Sequence, residues 1–178
     1  GKAVEKFDIE HKERADGVVA DLRDGAWQVE TVEKRAVTKN PLPPYTTSTL
    51  QQDAFRRLGF SAKQTMRVAQ QLYEGIPLGH AGPVGLITYM RTDSLNLAES
   101  AIADVHRFIK KEFGNAYTLI APRRFKTKSK GAQEAHEAIR PTDVGAVPES
   151  LSVSEEGARK LYQLIWSRFV ASQMPQAE

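Results

Sequence analysis

Gly85-Leu-Ile-Thr-Tyr-Met-Arg-Thr-Asp-Ser94 is the stretch on which the reading of this chain turns. With Val84 before it, the apolar run Val84 to Ile87 reads as a short buried strand. That strand delivers Tyr89, Arg91, Asp93 and Ser94 into a polar turn that a helix follows. Side chains alternate along extended backbone, so Tyr89, Arg91 and Asp93 are predicted on one side and Thr88, Met90 and Thr92 on the other. A fixed cation beside a phenol favours its ionised form, and a guanidinium can clamp a phosphate through two parallel hydrogen bonds. Tyr89 and Arg91 therefore suit attack on a phosphodiester, with Tyr89 as covalent nucleophile and Arg91 steadying charge on the phosphoryl oxygens. The same residue types also fit a half-buried packing tyrosine at a strand end.

Downstream, Asn96-Leu-Ala-Glu99 has capping-box spacing, and Ile102, Val105, Phe108 or Ile109, and Phe113 give the helix after it an apolar face that ends at Gly114. His106 in that helix reads as a satisfied or exposed surface histidine. Arg123, Arg124, Lys126, Lys128 and Lys130, with Phe125 among them, form the densest positive cluster; such loops attract phosphates irrespective of sequence. In Gln133 to Arg140, His136 and Arg140 are four apart and would share one helix face before Pro141 halts the helix. The imidazole could act as hydrogen-bond donor or proton relay in a phosphate pocket, or the two could be an ordinary surface pair. Ser152-Val-Ser-Glu155 opens a last predicted helix faced by Leu161, Leu164, Ile165 and Phe169, with Trp166 as an anchor.

Upstream, Ile76 to Pro83 reads as a surface loop with His80 facing solvent. Two short helices precede it, begun by Ser48-Thr-Leu-Gln51 and Ser61-Ala-Lys-Gln64 and stopped at Gly59 and Gly75. They make a helix-turn-helix unit with Arg56, Arg57, Lys63 and Arg67 outside. Asn40-Pro-Leu-Pro-Pro44 marks a boundary. Before it, Val18 to Leu22 and Trp27 to Val32 flank Asp24-Gly25 and read as a β-hairpin, with Ala3 to Ile9 as a possible further strand.

Composition bounds the function. The 178 residues carry 25 Lys and Arg against 22 Asp and Glu, a balance of +3 that permits nucleic-acid binding without requiring it. The absence of cysteine excludes disulfides and thiolate metal sites. No run approaches the ~20 apolar residues that span a bilayer, and no signal-peptide pattern opens the chain. No Asp-x-Asp acidic cluster occurs, and no metal site is predicted here.

Gly85 to Ser94 resembles the active-site tyrosine motif of type IA DNA topoisomerases, of the bacterial topoisomerase I group. Pro43-Pro-Tyr-Thr-Thr-Ser-Thr-Leu-Gln-Gln52 and Gln133-Glu-Ala-His-Glu-Ala-Ile-Arg-Pro-Thr142 resemble further stretches of that family in the same order. The resemblance implies an enzyme that relaxes negatively supercoiled DNA. It does so by single-strand cleavage through a 5′-phosphotyrosine intermediate, strand passage and religation. It implies Tyr89 as nucleophile, Arg91 as phosphate-orienting cation and His136 as the neighbour supporting proton transfer. Thr46 to Thr49, Thr92, Asp93, Ser94 and Arg140 would belong to the surrounding DNA-binding shell. By its charge, the basic cluster of Arg123, Arg124, Lys126 and Lys128 would also meet DNA, chiefly single-stranded. Magnesium would be held by a Toprim domain elsewhere in a longer cytoplasmic, nucleoid-associated, monomeric protein, so this chain alone would be inactive. The expected fold is mainly α with a smaller β portion. Residues 1–45 would be part of a β-rich hinge or arch domain, 46–148 a helical tyrosine-bearing domain, and 149–178 a helix returning to the β-rich part. A non-catalytic single-stranded DNA-binding helical module is the alternative.

Overall fold

The structure, a computed structural model, describes residues 5, 8–77, 82–125 and 136–177. Its chain divides into two units, Gly1–Ala36 and Val37–Glu178. In the second, the first two helices begin and end where side chains or glycine can satisfy orphan backbone groups. Helix α2 (Thr47–Leu58) is capped by Thr46, with a reciprocal box to Thr49, two residues earlier than the Ser48 start predicted above. The start moves back because the Thr47 amide and hydroxyl are already held by the tyrosine segment, at Thr92 and Met90. Gly59 ends α2 in the left-handed region at φ 70°, where a side chain would be strained. Helix α3 (Ala62–Glu74) begins as predicted, with Ser61 Oγ accepting from the Gln64 amide at 3.1 Å. The two ends of the predicted Ile76–Pro83 loop pair as antiparallel strands β1 (Ile76–Pro77) and β2 (Pro83–Val84), with Ile76 opposite Val84. His80 lies outside the described residues.

Helix α4 (Glu99–Glu112) has Ala98 as N-cap with no side-chain bond, so the Asn96 cap is not used. Asn96 is still extended there: its amide donates to Ser94 Oγ and its carbonyl accepts from the Ala138 amide. Helix α5 (Glu156–Ser172) likewise starts later than predicted, because Val153 is buried in the core and holds residues before Glu155 extended. His106 is satisfied by Gln173 at 3.3 Å, and Trp166 donates to the Val144 carbonyl at 2.9 Å.

Burial of apolar faces drives the assembly. Leu50 and Ala54 of α2, Val68, Ala69 and Leu72 of α3, and Leu161, Tyr162 and Ile165 of α5 form one cluster, into which Leu86, Ile87, Met90 and Ile139 insert. A second cluster joins Ala101, Val105 and Ile109 of α4 to Phe169 and Val170 of α5, and Trp166 packs on both. Helix α5 is thus the common partner of both clusters. A polar brace reinforces it. Asp53 on α2 accepts from Arg168 of α5 and from the Tyr45 hydroxyl, each at 2.5 Å, and the guanidinium lies 4.3 Å over the Tyr45 ring.

The first unit departs from the expected β-hairpin. Residues Lys12–Asp24 form helix α1, and Trp27 to Val32 is without regular structure. Gly25 has φ −73° and ψ 143°, so Asp24-Gly25 makes no tight positive-angle turn. A two-stranded hairpin is marginal alone, whereas a helix satisfies its backbone internally. Lys12 and Asp16 add a pair one turn apart, and Arg14 donates to the Asp8 carbonyl. No residue of α1 is buried. The proposed Ala3–Ile9 strand lies largely outside the described residues.

Burial opposes ionisation of Asp53, but the Tyr45 hydroxyl and the Arg168 and Arg57 guanidiniums outweigh it and hold the carboxyl below its usual range. A depressed folded pKa gives stability that is present above the unfolded value, ~4, and is lost as pH falls through the folded one. Asp53→Asn is expected to cost on the order of 3 kcal/mol at pH 7, because it strands a largely buried Arg168. Urea titrations of both proteins at pH 7 and pH 3 should show the difference shrinking on acidification.

Candidate active site

Three extended segments converge beneath the tyrosine. Tyr45 and Ile139 bridge antiparallel, as do Ile87 and Pro141. Two threonines then fasten the central segment from either side. The Thr47 hydroxyl donates to the Met90 carbonyl at 2.7 Å and accepts from the Thr92 amide at 2.9 Å, while the Thr47 amide donates to the Thr92 carbonyl. The Thr88 hydroxyl donates to the Ala138 carbonyl at 2.7 Å and accepts from the Arg140 amide at 3.0 Å. Below, the Leu86 amide donates to the Leu72 carbonyl at 2.7 Å, which seats the segment on the end of α3. Gly85 is required for that approach, since a Cβ there would lie 2.7 Å from the Tyr73 carbonyl oxygen.

The predicted alternation is visible in the burial. Met90, Thr92 and Ser94 are buried, while Tyr89, Arg91 and Asp93 are exposed. The Thr92 hydroxyl accepts from the Ser94 amide, and Ser94 Oγ from the Asn96 amide, so both side chains build the turn. The apolar run itself divides: Leu86 and Ile87 are buried, but Val84 is exposed in β2.

Tyr89 is 44% exposed and borders a cleft of about 270 Å³ with Tyr73, Thr88, Thr92, His136 and Glu137. The Tyr73 ring meets that of Tyr89 edge to face, with centroids 5.3 Å apart, a geometry that restrains the phenol without covering it. Arg91 forms no hydrogen bond or ion pair with any described residue, which leaves its donors available to an anion.

His136 and Arg140 are not on a helix, contrary to the expectation. Residues 136–140 run extended because Ile139 is bridged to Tyr45 and the Arg140 backbone is bound to Thr88. His136 faces the tyrosine cleft, whereas the largely buried Arg140 guanidinium is engaged by Glu137, at 2.5 Å, and by the Pro141 carbonyl. Thr49 is spent on the α2 cap. Arg123 donates to the Met174 carbonyl at 3.0 Å, and Arg124 forms a two-pronged pair with Glu99 at 2.7 and 2.9 Å. Lys126 and Lys128 lie outside the described residues. Among the described residues no three His, Asp or Glu side chains converge as a metal ion requires.

A family model described as DNA topoisomerase matches residues 1–178, the whole chain. The chain belongs to the DNA topoisomerase family. DNA topoisomerase 1 of Rickettsia prowazekii is 48% identical over 172 residues, 96% of this chain and 22% of the relative. The Zymomonas mobilis protein of the same name is 47% identical over 178 residues, all of this chain and 14% of that protein. Full-length topoisomerase I from Thermotoga maritima superposes with a TM-score of 0.67 at 42% identity, over 79% of this chain and 22% of that one. The chain thus spans about a fifth of the length of the Rickettsia and Thermotoga proteins, both bacterial. No described helix is long and apolar enough to cross a membrane.

Two residues at this topoisomerase-family cleft were missed by sequence reasoning: Tyr73 reads as part of an apolar helix face, and Glu137 carries no spacing signal. Thr47, expected in the surrounding shell, acts from beneath the segment. Thr47→Val, which leaves the Thr92 amide without its acceptor, is expected to cost about 2 kcal/mol, while Thr47→Ser should recover most of it. Gly85→Ala should cost a similar amount, about 2 kcal/mol, by overpacking against α3. Chemical denaturation checks both.

Proposed function

We propose that this chain supplies the tyrosine half of a type IA topoisomerase active site. The single observation that carries the reading is the outward-facing Tyr89 phenol, held beside His136 in an open cleft on a segment pinned at Thr47 and Thr88. In the reaction, Tyr89 Oη attacks the phosphorus of a single DNA strand and the bond from phosphorus to the 3′ oxygen breaks. The phenolic proton leaves and the 3′ oxygen gains one, giving a free 3′-hydroxyl and a 5′-phosphotyrosine diester. Arg91 holds the non-bridging oxygens through charge-assisted hydrogen bonds, and His136 passes the proton. The diester conserves the energy of the cut bond, so after strand passage the 3′-hydroxyl reverses the step without nucleotide hydrolysis. The rest of the site, magnesium included, would come from a Toprim domain, and the chain alone is expected to cleave nothing.

The test is to mix the chain with a separately made Toprim-containing piece, magnesium and single-stranded DNA. A denaturation-resistant protein–DNA adduct is expected. Tyr89→Phe should abolish it and Arg91→Ala should lower its rate about 100-fold. Persistence of the adduct in Tyr89→Phe would sink the reading. Salt-dependent DNA binding with no adduct at all would favour the non-catalytic module.

A further inference from the structure

A second cleft, of about 340 Å³, lies between the end of the tyrosine segment and the start of α4 and is bordered by Leu95, Asn96, Leu97, Ile102, Arg123, Arg124 and Phe125. It is the size of a small-ligand pocket. Its walls combine an aromatic ring and apolar side chains with two arginines, which the tyrosine cleft lacks. Arg123 keeps a buried Nε donor that has no acceptor among the described residues, although its neighbouring nitrogen is satisfied by Met174. Arg124 is exposed and held by Glu99 in the first turn of α4. That helix has no side-chain cap, so its first amide groups favour negative charge near them, the Glu99 carboxylate included.

The two clefts share their supports. Thr92 borders the first and Leu95 the second, three residues apart; Glu137 borders the first, and the next residue, Ala138, donates its amide to the Asn96 carbonyl at 2.8 Å.

We propose that this second cleft binds one nucleotide of a single DNA strand flanking the tyrosine cleft, its base stacked on Phe125 and its phosphate taken by Arg123 and Arg124. Glu99 is then a latch. It occupies Arg124 when the cleft is free and gives the guanidinium up to the incoming phosphate, so the cost of breaking an exposed ion pair sets the affinity. Base stacking on an aromatic side chain is sequence-tolerant, which suits an enzyme acting on many sequences. The inference rests on the preceding reading for the identity of the strand, but not on its chemistry.

The experiment measures binding of the 178-residue chain to fluorescein-labelled octathymidylate, and to its abasic counterpart, by anisotropy at two salt concentrations. Phe125→Ala should weaken octathymidylate binding roughly tenfold and remove the preference over the abasic strand. Arg124→Ala should reduce the slope of log affinity on log salt by about 0.7. Glu99→Gln should tighten binding several-fold, a gain that misfolding cannot produce. Octathymidylate affinity unchanged by Phe125→Ala, or Glu99→Gln binding no tighter than the parent, overturns the proposal. Failure of the subsite is read in this binding assay and failure of the phosphotyrosine chemistry in the adduct assay, so the two are told apart.

Discussion

The tyrosine segment is held from below by two threonine hydroxyls, each acting as donor and acceptor at once. Thr47 takes the Met90 carbonyl and the Thr92 amide, and Thr88 takes the Ala138 carbonyl and the Arg140 amide. Backbone bridging reaches the segment only in part, at Ile87 and Pro141, and a buried, unpaired amide or carbonyl would be costly. These side chains extend that partial ladder. With Met90, Thr92 and Ser94 so anchored, the pleat leaves Tyr89, Arg91 and Asp93 no direction but outward.

That anchoring needs a rigid base, and the helices supply it. Helix α5 packs on α2 and α3 through one apolar cluster and on α4 through the other, while Asp53, Arg168 and Tyr45 lock the entry to α2 against it. Tyr45 is at once a member of this brace and, through its carbonyl, the partner of the Ile139 amide at 2.8 Å. The core is therefore joined directly to the segment that carries His136. A displacement of α5 would be felt at the cleft through two or three rigid contacts, consistent with the low compressibility of packed interiors.

The polar groups around Tyr89 divide into those used by the fold and those left over. Thr49, Thr92, Ser94 and Arg140 are spent on caps, turns and an ion pair. Arg91 and His136 are not engaged by any described residue; His136 borders the same cleft as the phenol, and Arg91 is exposed two residues along the segment. Such uncommitted donors at an open cleft cost little while solvated and become valuable when a phosphate displaces the water.

Local sequence determined a good deal: the capping of α3 by Ser61, the stop at Gly59, the apolar faces of the helices, and the alternation from Tyr89 to Ser94 all follow from interactions within a few residues. The three-part resemblance carried the family, because each motif is contiguous. Only the tertiary structure decided the rest. The starts of α2 and α4 were misplaced because Thr47 and Asn96 are claimed by segments 45 and 42 residues away, at Thr92 and Ala138. His136 and Arg140 were assigned to a helix because spacing four apart says nothing about a partner strand. The hairpin expected at Asp24-Gly25 failed for the same reason in reverse: strands need pairing from outside themselves, and α1 closes its hydrogen bonds alone. Helical contacts are local and can be read along the chain, whereas which extended segment lies beside which is settled only when the core folds.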